Sequence, residues 1–102
     1  MPNTLRKQPA EKFYVGVNFE ALLADGESIE LTQSQVVAYD MANGSDVSAE
    51  MIEAGTLSLK DETILQARVI GGVDGKKYKL SFRAATSLGN LYEEDVILVV
   101  KD

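Results

Sequence analysis

The sequence predicts an all-β fold, a two-layer antiparallel sandwich of about seven strands. Short apolar segments alternate residue by residue between an inner and an outer face, the signature of half-buried strands. Turn residues separate these segments at the spacing of all-β folds. No segment carries an apolar stripe of helical period longer than about two turns.

The first eleven residues hold two prolines, mixed charge and no periodicity, and are expected to be a flexible arm over 1–11, with the domain over 12–102. Phe13, Val15, Val17 and Phe19 alternate with Tyr14, Gly16 and Asn18, which reads as a first strand. Glu20 to Ala24 fits one helical turn closed by Asp25-Gly26. A second strand is expected within Ser28–Tyr39, ending at the Asn43-Gly44 turn signal. Asp46 to Ile52 stays open, a short strand being one reading. Gly55 opens another short strand, with Leu57 and Leu59 on one face.

Thr63 to Ile70 is the next strand, with Leu65, Ala67 and Val69 facing inward. Gly71-Gly72-Val73-Asp74-Gly75 is the strongest loop, because its three glycines supply positive φ angles. Tyr78, Leu80, Phe82 and Ala84 then alternate with Lys77, Lys79, Ser81 and Arg83, the cleanest amphipathic strand in the chain. After Gly89-Asn90 the last strand runs from Leu91 to about Lys101. Pairing apolar faces across a three-residue loop, Leu88-Gly89-Asn90, sets Tyr78, Leu80 and Phe82 opposite Val100, Leu98 and Val96. It also sets Arg83 opposite Asp95.

Composition closes off several chemistries. The chain has 102 residues, no cysteine and no histidine. Disulfides, thiolate nucleophiles and zinc–thiolate sites are absent, as are Ser-His-Asp and Cys-His catalysis. Sixteen acidic against ten basic residues give a net charge of −6, the wrong sign for binding nucleic acid, whose phosphates call for clustered Lys and Arg. No run is long enough for a membrane helix and the amino terminus has no secretory pattern. The chain is expected to be cytoplasmic when synthesised.

Candidate sites are few. Asp40, Asn43, Ser45 and Asp46 offer oxygen ligands without the spacing of a calcium loop, and an Asn-Gly turn accounts for them. Glu93, Glu94 and Asp95 cannot converge on a metal from one strand, since neighbours point to opposite faces. The Gly71–Gly75 loop lies between strands and opens no helix, so it lacks half of a phosphate cradle. No cofactor is expected. Paired carboxylates leave glycoside hydrolysis formally open, but a chain without Trp and with most Tyr and Phe at core positions offers no aromatic groove.

More informative are apolar residues on the outward faces. Ile97 and Val99 interleave with Val96, Leu98 and Val100, and Ile64 and Ile70 flank the inward set of their strand. Either a neighbouring segment, such as the amino-terminal arm, shields them, or Ile64, Ile70, Ile97 and Val99 contact a protein partner or a second copy.

Asp74-Gly75-Lys76-Lys77-Tyr78-Lys79-Leu80 resembles the start of strand F in immunoglobulin-like sandwiches, where a tyrosine hydroxyl bonds back to the preceding corner. A wider set carries a second likeness. Lys7-Gln8-Pro9, Phe19, Leu23-Ala24-Asp25-Gly26-Glu27-Ser28-Ile29, the run Gly71-Gly72-x-x-Gly75-x-x-Tyr78-x-Leu80-x-Phe82, and Gly89-Asn90-x-Tyr92-Glu93-x-Asp95 together resemble small immunoglobulin-like proteins of tailed bacteriophages and prophages. The resemblance implies a non-enzymatic, virion-associated role, in the head or head–tail region, exercised through protein contact. An immunoglobulin-like module that binds carbohydrate or a cell surface is the alternative, and a small glycosidase a distant third.

Overall fold

The computed structural model describes residues 3–102 and contains seven strands: β1 (Asn3–Lys7), β2 (Phe13–Asn18), β3 (Gln35–Asp40), β4 (Ser58–Lys60), β5 (Ile64–Val69), β6 (Lys77–Ala85) and β7 (Leu91–Val100). They form two sheets, one of four strands in the order β1-β7-β6-β3 and one of three in the order β2-β5-β4. The expected sandwich is therefore present. Strands β2 to β7 pair in the order that immunoglobulin domains use for their strands B to G.

Alternation decides what lies between the layers. Leu65, Ala67 and Val69 of β5 face Tyr78, Leu80, Phe82 and Ala84 of β6 and Val96, Leu98 and Val100 of β7, all buried. Phe19 and Met51 join this core, both almost without exposure. Each fully buried Leu or Phe contributes about 1.5–3 kcal/mol, which makes these positions the main source of stability.

Helical pieces are short. The expected turn after β2 is a 3-10 turn over Glu20–Leu22, and a second over Leu31–Gln33 precedes β3. The open stretch at Asp46–Ile52 holds one helical turn, α1 (Ser48–Met51), rather than a strand. Asp46 explains it: its Oδ1 accepts hydrogen bonds from the Ser48 amide and hydroxyl at 2.9 and 2.6 Å, starting a turn that buries Met51.

Two expectations are corrected. Residues 3–7 of the arm form β1, which pairs in parallel with β7, Asn3 opposite Val96 and Lys7 opposite Val100; Met1 and Pro2 lie outside the described residues. The alternation of Asn3, Leu5 and Lys7 is not apolar, so periodicity gives no sign of a strand. Lys7 is nonetheless fully buried, and its Nζ donates to the carbonyls of Gln8, Pro9 and Gly71 at 2.9, 3.2 and 2.6 Å. Burial pushes the Lys7 pKa down.

The β6–β7 register is the second correction. Tyr78 lies opposite Leu98, Leu80 opposite Val96, and Arg83 opposite Glu93, a shift of two residues that keeps every side chain on its expected face. The Thr86 amide bonds to the Asn90 carbonyl at 2.9 Å, so the turn is Ser87-Leu88-Gly89, with Gly89 at φ 81°. Glu27 fixes this choice from afar: its Oε2 accepts from Thr86 Oγ1 at 2.5 Å and Asn90 Nδ2 at 2.8 Å.

Candidate docking surface

Strand pairing puts one set of side chains on the outer face of the four-stranded sheet. From β3 these are Gln35, Val37 and Tyr39; from β6, Lys77, Lys79, Ser81 and Arg83; from β7, Glu93, Asp95, Ile97 and Val99; from β1, Thr4 and Arg6. Ile97 lies between Lys79 and Thr4, and Val99 between Lys77 and Arg6. Both are half-buried, so β1 narrows the apolar strip on one side without covering it.

Beside that strip is a groove of about 410 Å³ lined by Tyr39, Asp40, Met41, Gly44, Lys79, Ser81, Arg83 and Glu93. Its floor is held by a fixed polar network. Arg83 Nε donates to Glu93 Oε1 at 2.7 Å, and its guanidinium also donates to the Tyr39 hydroxyl at 3.1 Å. Those partners, Glu93 first, raise the Arg83 pKa. The Ser81 hydroxyl donates to Asp95 at 2.8 Å. Lys79 Nζ sits 5.3 Å from the centre of the Tyr39 ring, a cation–π placement. Among the described residues no carboxylate lies within ion-pair distance of Lys77 or Lys79.

The other expected contact residues are elsewhere. Ile64 is half-buried on the outer face of the three-stranded sheet, close against Gly16, where its Cγ2 would stand 2.9 Å from an added Cβ. Ile70 follows β5, at the end of that strand away from Ile64, with its amide bonded to the Met51 carbonyl at 2.8 Å. The structure thus brings Ile97 and Val99 together on one sheet and places Ile64 on the other.

The oxygen-rich loop after β3 is occupied by its own hydrogen bonds. Asp40 Oδ2 pairs with Lys76 Nζ at 2.7 Å and its Oδ1 accepts from the Ala42 amide. Asn43 Oδ1 accepts from the Ser45 amide and hydroxyl. The Lys76 bond, with that of Ala42, holds the Asp40 carboxyl below its ordinary pKa. No cluster of three or more His, Cys, Asp or Glu side chains placed to hold a metal ion occurs among the described residues. No helix among them is long and apolar enough to cross a membrane.

Sequence reasoning found the apolar pair and the outward lysines, but not Tyr39 as their neighbour. That adjacency depends on β3 pairing with β6, a contact between residues some forty positions apart. No curated protein matches the chain. Residues 7–99, from the end of β1 through nearly all of β7, match the family of the podophage GP4 fiber-tail adaptor protein gp77, and the chain belongs to that family.

Proposed function

We propose that this protein is a fibre–tail adaptor of a podophage virion, joining two structural proteins by surface complementarity and performing no chemistry. The family match over residues 7–99 carries the reading. Family membership makes the chain a phage structural protein that works through protein contacts; its place at the tail rather than the head, and its non-enzymatic character, are the proposal. The fold supports it, because a sandwich stiffened from both layers presents a rigid face whose fit to a partner costs little ordering entropy. The half-buried Ile97 and Val99 supply apolar contact at that face. A sugar-binding reading calls for an aromatic platform, and among the described residues of the groove only Tyr39 is aromatic.

The test is genetic and compositional. Purified particles are expected to contain the protein, and particles grown without its gene are expected to keep tails but lose fibres. Its absence from purified particles, or normal fibres on particles lacking the gene, overturns the proposal.

A further inference from the structure

We infer that the outer face of the four-stranded sheet docks an acidic protein segment with an apolar centre; this deepens the adaptor reading and rests on it. The charge distribution is the first observation. The chain carries a net charge of −6, yet this face holds the cations Arg6, Lys77, Lys79 and Arg83 against the carboxylates Glu93 and Asp95. The face is therefore net positive on an acidic molecule, and it opposes the field of the remaining surface. Such a face attracts an acidic partner.

The second observation is which cations are free. Arg83 is committed to Glu93 and Tyr39, and it rigidifies the groove. Lys77 and Lys79 have no carboxylate within reach among the described residues, and Lys79 is steadied over the Tyr39 ring, where it meets a ligand already ordered. The third is shape. The groove of about 410 Å³ adjoins Ile97 through Lys79, so an incoming carboxylate at the lysines puts its neighbouring apolar side chain over the Ile97–Val99 strip.

The experiment uses the full chain, isotope-labelled, titrated with a peptide of alternating glutamate and leucine. The control peptide has lysine in place of each glutamate. The expected result is amide shifts confined to Val37, Tyr39, Lys77, Lys79, Arg83, Ile97 and Val99, weakening with salt and absent with the control. The double charge reversal Lys77→Glu with Lys79→Glu, on outward-facing positions, is expected to weaken binding about tenfold or more. Equal binding of both peptides, shifts at another surface, or no shift at millimolar peptide overturns the inference. Particles carrying the same double variant separate this failure from that of the adaptor reading. If fibres attach normally through the variant protein, the adaptor function stands and the basic face is not its dock.

Discussion

The Val73 amide donates a hydrogen bond of 3.0 Å to the hydroxyl of Tyr78, five positions further on at the start of β6. Tyr78 is buried at 4% exposure, with its ring in the core and its hydroxyl at the corner. One side chain therefore ties the glycine-rich loop to the sandwich. Tyr78→Phe keeps the ring and removes the acceptor, at an expected cost of about 1–2 kcal/mol. Urea unfolding checks it: the midpoint falls while the slope stays constant, because the same surface is exposed on unfolding. An unmoved midpoint would show that the bond contributes nothing.

Glu27 makes stability acid-sensitive. Its carboxylate accepts from Thr86, from the Ala24 amide and from Asn90, and these bonds, Thr86 foremost, hold its pKa below the ordinary glutamate value. In the unfolded chain the same group takes up its proton at about pH 4.3. As pH falls through that value the unfolded state gains a proton that the folded state refuses, so Glu27's contribution is intact above it and is lost progressively below it. Glu27→Gln is expected to lower stability at neutral pH and to flatten its decline between about pH 4.5 and pH 3. Thermal midpoints measured across that window, in variant and parent, decide the matter; parallel curves would remove Glu27 from the acid response.

The same residue shows why some of the structure was legible in the sequence and some was not. Inward and outward faces of β5, β6 and β7 follow from alternation alone, because a strand of period two must hide one side. Tyr78 was legible through its local motif. The two-residue register shift of the last hairpin was not, since both registers bury the same apolar faces and the choice falls to Glu27, 59 residues before Thr86. Lys7 was hidden for a similar reason. A charged residue among prolines reads as solvated arm, and only the carbonyls of Gln8, Pro9 and Gly71 make its burial tolerable. The docking face was half legible. Lys77, Lys79, Ile97 and Val99 came from alternation, whereas Tyr39 and its groove depend on which strands become neighbours.

Glycines of the loop before β6 differ in what they tolerate. Gly75 has φ +89° with open space around the position of an added Cβ, whereas Gly71 has φ +66° and would place a Cβ 2.5 Å from the Glu50 carbonyl oxygen. Gly75→Ala is expected to cost only the conformational strain, about 1–2 kcal/mol. Gly71→Ala meets the Glu50 backbone as well, on a residue whose own carbonyl accepts from Lys7. Its cost is expected to exceed that of Gly75→Ala by about 1 kcal/mol or more. Thermal melts of the two single variants provide the comparison, and equal losses would show that the loop moves aside freely.

The β4–β5 hairpin stores strain at Asp61 and Glu62, which have φ of 50° and 65° without being glycine. Lys60 pairs with Ile64, and the Thr63 amide bonds back to the Asp61 carbonyl at 2.8 Å, so the turn is too tight for either residue to relax. Left-handed backbone costs an ordinary residue about 1–2 kcal/mol, and aspartate, with its short polar side chain, bears it better than glutamate. Glycine at position 62 relieves that strain but gives back about 0.5–1 kcal/mol through its greater freedom in the unfolded chain. Glu62→Gly is therefore expected to stabilise the protein by up to about 1 kcal/mol. Glu62→Val, β-branched and without a local hydrogen bond to offer, should destabilise it, because branching at Cβ worsens the same crowding. Chemical denaturation of the two variants beside the parent checks both signs, and a valine variant as stable as the glycine one would show that Glu62 bears no strain.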